Sequence, residues 1–197
     1  MERSHVPDPE LVQIVADASR RVEVSRAVHD VYDALEREIA ERRPRCDQSG
    51  RCCRFDEFGH RLYVTTVELA TFLAESAKTV SLPAPDTTGG AGCPFQQSGL
   101  CSVHTIRPFG CRVFFCDPSA ESWQEDAYRR HHARLRQIHA RFGVPYRYLE
   151  WRAALDALGW REAPPHGVVL RVLRTPLSLC QDRSRTYKLL VGGGLHL

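Results

Sequence analysis

The stretch 46-CDQSGRCCRF-55 places two adjacent thiols, Cys52 and Cys53, behind a polar, glycine-bearing loop that begins at Cys46. The chain has eight cysteines in 197 residues; seven lie between Cys46 and Cys116, and Cys180 stands apart. The density is therefore local, and a multidentate ligand set requires local density. A disulfide framework is the other common use for so many cysteines, but it belongs to exported chains. The opening segment MERSHVPDPELVQIV lacks the apolar run of a signal peptide, and no window approaches the roughly 18 apolar residues of a membrane span. The expectation is a cytoplasmic chain, off the membrane, whose cysteines stay reduced and serve a metal.

Thiolates bind zinc and iron–sulfur clusters when they are presented from loops that can bend around a compact centre. Gly50, Gly92, Gly99 and Gly110 each stand one or two residues before a cysteine, where such bends are needed. The candidate metal ligands are Cys46, Cys52, Cys53, Cys93, Cys101, Cys111 and Cys116. Cys93, Cys101, Cys111 and Cys116 do not form the C-x-x-C pairs of a zinc ribbon, and two neighbouring residues rarely both ligate one tetrahedral ion. Six or seven thiolates also exceed what one zinc ion can use. An iron–sulfur cluster, with 4Fe–4S favoured, is the first expectation and zinc the alternative. Buried free cysteines that merely pack a core are the bland reading, which the glycine-bearing loops oppose.

Outward from this block, 8-DPELVQIVADASRRVEVSRAVHDVYDALEREIAERR-43 sets apolar residues at helical spacing, with Asp8 as N-cap and Pro9 at the first helical position. One continuous helix of that length would reach on the order of 50 Å. The sequence therefore predicts a break near Arg20-Arg21, or a partner helix from a second copy. Leu62 to Val64 read as a short strand, and Thr65 with Glu68 as a capping box opening a helix to about Ala77. The linker 79–92 reads as a surface loop. The block 93-CPFQQSGLCSVHTIRPFGCRVFFCDP-118 is too rich in turns for regular structure, apart from one helical turn at 104–107. Helices are expected over 119–143 and 145–160, and short strands over 168–173 and 187–191.

The fold expectation is mainly α with irregular cysteine-rich loops and a few short strands, one small metal-centred domain with flanking helices. Its parts are an N-terminal amphipathic segment over 1–44, a cysteine core over 45–118, and C-terminal helices and strands over 119–197.

The cysteine block resembles the YkgJ-type cysteine-cluster family, a zinc- or iron-chelating domain family that includes flagellin N-methylase. Its pattern runs C-x-x-C-G-x-C-C, a variable spacer, C-P-x-L, then C-x-I-Y-x-x-R-P-x-x-C-R. Cys93-Pro94-Phe95, Cys101-Ser102-Val103-His104, Arg107-Pro108 and Cys111-Arg112 fall on it in order. The match covers roughly a third of the chain, and it departs at two positions: Ser49 stands where the family has a cysteine, and His104 where it has a tyrosine. The resemblance implies a missing thiolate, for which Cys116 is the first replacement and His104 the second. It also implies that Arg107 and Arg112 belong to the motif and hold the cofactor; the alternative for them is a salt bridge to Asp56 or Glu57. Methyl transfer to a protein lysine is a further implication, although no S-adenosylmethionine loop is recognisable.

The helix 119–143 carries a basic stripe from Arg129 through His131, His132 and His139 to Arg141, opposite a buried side of Trp123, Ala127, Leu135, Ile138 and Phe142. With a net charge of only +3 the stripe reads as a solvated face, and nucleic acid is an unfavoured partner. Cys180 reads as core packing. The leading functional expectation is an iron–sulfur protein with a redox or protein-modifying role and an unknown protein or redox partner. The alternatives are a zinc-stabilised interaction module that is not an enzyme, and a nucleic-acid binder using the basic helix 129–141.

Overall fold

The computed structural model describes residues 7–78 and 92–160. The strands expected at 168–173 and 187–191, most of the 79–92 linker and Cys180 lie outside these. The described residues are mainly helical. The first helix, α1 (Pro9–Ser19), starts where the sequence predicts: the Asp8 carboxylate accepts from the amides of Glu10 and Leu11 at 3.0 and 3.1 Å. It stops at Arg20, and Arg21 adopts an extended conformation before α2 (Val22–Arg42) begins. Arg21 also donates to the carbonyl of Phe142 at 2.9 Å, which anchors the break to a distant part of the chain.

The break resolves the length problem within one chain. α1 packs on α3 (Thr66–Ser76), and α2 packs on α3 and on α5 (Glu121–Phe142). Leu11 and Val15 of α1, Val28 and Leu35 of α2, Leu69 of α3 and Leu135 of α5 are all but fully buried in one core. Each such side chain contributes about 1.5–3 kcal/mol. The apolar face of the N-terminal segment is thus covered by its own chain, so helix length no longer argues for a second copy.

Two small ribbons complete the core. β1 (Tyr63–Thr65) pairs antiparallel with β4 (Tyr148–Glu150), Val64 opposite Leu149. The pairing shortens the helix expected over 145–160: only α6 (Trp151–Ala157) is helical, because residues 148–150 satisfy their backbone groups against β1. Glu150 then caps α6, accepting from the Ala153 amide at 2.9 Å. The second ribbon, β2 (Gln96–Gln97) with β3 (Leu100–Cys101), turns through Ser98 and Gly99, both at positive φ. The 93–118 block therefore holds more regular structure than expected, since it also contains a short helix, α4 (Phe109–Val113). The helical turn at His104–Ile106 is present as a 3-10 turn.

On α5 the solvated-face reading needs correction at two positions. Besides Ala127, Leu135 and Ile138, both His131 and His139 are buried. His131 Nε2 meets Glu38 of α2 at 2.8 Å, and His139 Nδ1 meets the Val144 carbonyl at 3.1 Å. Arg130 pairs with the same Glu38 at 2.7 Å, so part of the basic stripe ties α5 to α2. Among the described residues, no helix is long and apolar enough to cross a membrane.

Candidate metal centre

The first cysteine loop ends in a 3-10 turn, Arg51–Cys53, entered through Gly50 at φ 69°. That left-handed conformation suits glycine. Close approach demands it as well: a Cβ at Gly50 would stand 2.0 Å from the carbonyl oxygen of Gly99 in the β2–β3 turn. Gln96 fastens the contact, its amide donating to the carbonyls of Gly50 and Gly99 at 3.1 and 3.2 Å. One residue from each loop completes the seam, with the Cys93 amide donating to the Cys53 carbonyl at 2.7 Å. Two stretches some forty residues apart are thereby held backbone to backbone.

The thiols follow the backbone. Cys53, buried at 5% exposure, is in side-chain hydrogen-bonding contact with Cys101, Cys52 and Cys93. Those contacts push the Cys53 thiol up and pull its partners down. Cys52 is lowered to about 6, first by the Cys53 contact and then, against burial, by its own amide, His60 and Arg107. Cys101 is lowered to about 7, again chiefly by Cys53. Cys93 is lowered by the same contact, by the Phe95 amide and by the indole N–H of Trp151. Three sulfurs thus share one S–H, although a thiol can donate to only one acceptor at a time. A metal ion binds thiolates and releases their protons, so it would satisfy all of them at once.

Cys111, on α4, interacts with the same group through charge. Its thiol is pushed well above the ordinary range, chiefly by burial and then by the neighbouring sulfurs of Cys93, Cys101 and Cys52. Gly110 lets α4 pack against Leu62, since a Cβ there would stand 2.6 Å from Leu62 Cδ1. Glu68 fixes where α4 begins. Its carboxylate caps α3, accepting from the Thr65 amide and hydroxyl at 2.8 Å each, and its other oxygen accepts from the Phe109 amide at 3.0 Å. The Thr65–Glu68 box is evident in sequence; the bond to Phe109 spans 41 residues and is not.

Cys46 and Cys116 are placed differently. Cys46 is exposed, Cys116 is half-buried, and neither is among the thiols that Cys53 engages. Their segments meet elsewhere: the Arg45 amide donates to the Asp117 carboxylate at 3.0 Å. His104, the second candidate to replace the thiolate missing at Ser49, turns Nδ1 toward Arg107 Nη1 at 2.9 Å.

The two motif arginines also part company. Arg107 acts on the sulfurs, lowering Cys52, Cys101 and Cys111 by its charge. Arg112 is buried and faces away: it pairs with Glu36, donates to the carbonyls of Arg107 and Thr105 at 2.9 and 2.8 Å, and lies 4.4 Å over the Tyr32 ring. Neither pairs with Asp56 or Glu57, which are taken by Arg152 and Arg54. Sequence reading missed Trp151. Its indole nitrogen is buried without a hydrogen-bond partner, beside the Cys93 sulfur. A buried Trp next to a cysteine loop is a legible cue only once the fold brings residues 93 and 151 together.

Among the described residues, no three or more His, Cys, Asp or Glu side chains stand in an arrangement that would directly hold a metal ion. The donor set fits a thiolate-bound metal in its chemistry, with Cys52, Cys93 and Cys101 inclined to lose their protons, rather than in a preformed coordination geometry. Comparisons with family models, with curated proteins and with solved structures returned no match to this chain.

Proposed function

We propose that this protein binds a metal centre through Cys52, Cys53, Cys93, Cys101 and Cys111, with an iron–sulfur cluster as the leading identity. The carrying observation is the contact of Cys53 with three other sulfurs drawn from two loops and a hairpin. Thiolates are the ligands that iron–sulfur clusters take, and the Cys111 sulfur adds a fifth that interacts with Cys93, Cys101 and Cys52 through charge. The half-buried position of Cys52 leaves one edge of the group open, as a redox role would need. The charge of Arg107, felt at Cys52, Cys101 and Cys111, is the kind of neighbouring influence that tunes a cluster's potential.

A second reading, a structural zinc site, is favoured by a specific subset. Cys52, Cys53, Cys93 and Cys101 are the four joined by direct contact, and four is the tetrahedral number. Anaerobic purification followed by metal and acid-labile sulfide analysis separates the two. Iron and sulfide in stoichiometric amounts, with a brown colour, establish the cluster. Zinc without sulfide establishes the structural site. A chain that retains neither, with every thiol free to titrate, overturns both.

A further inference from the structure

A cleft of about 490 Å³ opens beside the thiols, with Cys52 and Cys111 among its lining residues. That volume lies within the range of small-molecule sites, on the order of 300–1,000 Å³. Two stacked ring pairs line it. His60 lies 5.5 Å from Phe114 at an interplanar angle of 16°, and Tyr63 lies 5.2 Å from Tyr148 at 25°. Tyr63, Phe114 and Tyr148 are 39, 42 and 37% exposed, a concentration of aromatic surface that water solvates poorly.

The polar groups of the cleft are mostly donors. Arg61 has no carboxylate or carbonyl partner among the described residues. Gln124, in the lining, spends its oxygen on the Phe115 amide at 2.6 Å, which leaves its NH2 as the group able to donate. Tyr128 and Tyr148 share one hydrogen bond between two hydroxyls, so one phenolic proton remains to donate. Arg129 is held by Asp126, and Glu125 is the one unpaired acid in the lining. Flat apolar walls with an excess of donors fit a planar aromatic body carrying an anionic oxygen group.

We infer that this cleft is a binding site for a planar aromatic carboxylate, seated against the Tyr63–Tyr148 and His60–Phe114 pairs with its carboxylate on Arg61. The inference rests on the cleft alone and stands whether the neighbouring thiols hold iron, zinc or neither. Ring contacts supply affinity, and the guanidinium fork supplies the preference for an acid over an amine of the same shape. Glu125 opposes the anion and sets how tightly it is held.

The test is calorimetric titration of the full chain, as purified under reducing conditions, with 2-naphthoate and with 2-naphthylmethylammonium. The expected result is one equivalent of 2-naphthoate bound and the amine bound at least about tenfold more weakly, the usual scale of a lost charge-assisted contact. Arg61→Gln should weaken 2-naphthoate about tenfold and abolish the acid-over-amine preference, whereas Glu125→Gln should tighten it about threefold. Phe114→Ala, an exposed position whose replacement leaves the core intact, should weaken both ligands alike. Arg136→Gln, at a separate cleft beside Tyr146, should change nothing. Equal or tighter binding of the amine overturns the inference, as does 2-naphthoate binding unaffected by Arg61→Gln, or no binding at millimolar ligand. None of those results bears on metal content, which is measured separately on the same preparation.

Discussion

Two groups of cysteines of similar sequence density behave differently in this fold. In the inner group Cys53 contacts Cys52, Cys93 and Cys101, and Cys111 interacts with those three through charge, behind a seam of backbone contacts. The outer pair, Cys46 and Cys116, borders a surface contact between Arg45 and Asp117. The two groups differ in what lies beneath them. The inner group stands on glycine approaches, a buried carboxylate and an indole, whereas the outer pair stands on one exposed hydrogen bond. Local cysteine density gathers the thiols along the chain, but the supporting layer decides which of them meet.

The largest expected effect comes from removing that supporting layer. Glu68→Ala leaves the Thr65 and Phe109 amides buried without acceptors, and should cost about 3–4 kcal/mol in denaturant unfolding. Burial holds the Glu68 carboxyl above its ordinary 4.5, against the bonds from Thr65 and Phe109. A carboxyl raised on folding contributes stability below its unfolded value and loses it as pH rises through the folded one. Stability should therefore decline above pH 4.5 through that window, and Glu68→Gln should flatten the decline. An unchanged pH profile in the Gln variant would detach Glu68 from the account.

Next in size is Gly50→Ala, which places a Cβ against the Gly99 carbonyl at a positive φ. The expected loss is about 2–3 kcal/mol, together with reduced metal content, because the two cysteine loops can no longer close on each other. Full metal content in this variant would show that the seam is incidental to the inner group. Trp151→Phe keeps the ring but removes the N–H beside Cys93. It should cost about 1 kcal/mol and shift the spectrum or potential of the metal-loaded protein, a readout that packing alone would not move. The smallest effect belongs to the outer seam: Asp117→Asn should change stability by less than about 0.5 kcal/mol and leave metal content intact.

The parts of this fold that were legible in sequence are those set by local rules. Asp8 and Pro9 start α1, Arg20-Arg21 break it, and Thr65 with Glu68 open α3, all within a few residues of chain. The misread parts depend on distant partners. Residues 148–150 have helical neighbours and become a strand only because β1 lies opposite. His131 reads as part of a polar stripe until Glu38, on another helix, claims it. The arginines flanking Cys111 are equivalent in the motif, yet one binds His104 and acts on the sulfurs by charge, and the other lies against Tyr32 and Glu36. The cysteines carried the same ambiguity: spacing alone made Cys116 the natural replacement for the thiolate missing at Ser49. The sulfur contacts of Cys53 and the charge interactions of Cys111 separate the inner set from it.

The most direct test of this division is the metal content of two variants prepared side by side, Cys53→Ser and Cys116→Ser. The account predicts that Cys53→Ser loses the metal, because the sulfur that touches three others is gone, while Cys116→Ser keeps a full complement and an unchanged spectrum. Full metal in Cys53→Ser, or its loss in Cys116→Ser, would contradict the assignment of the centre to the inner group.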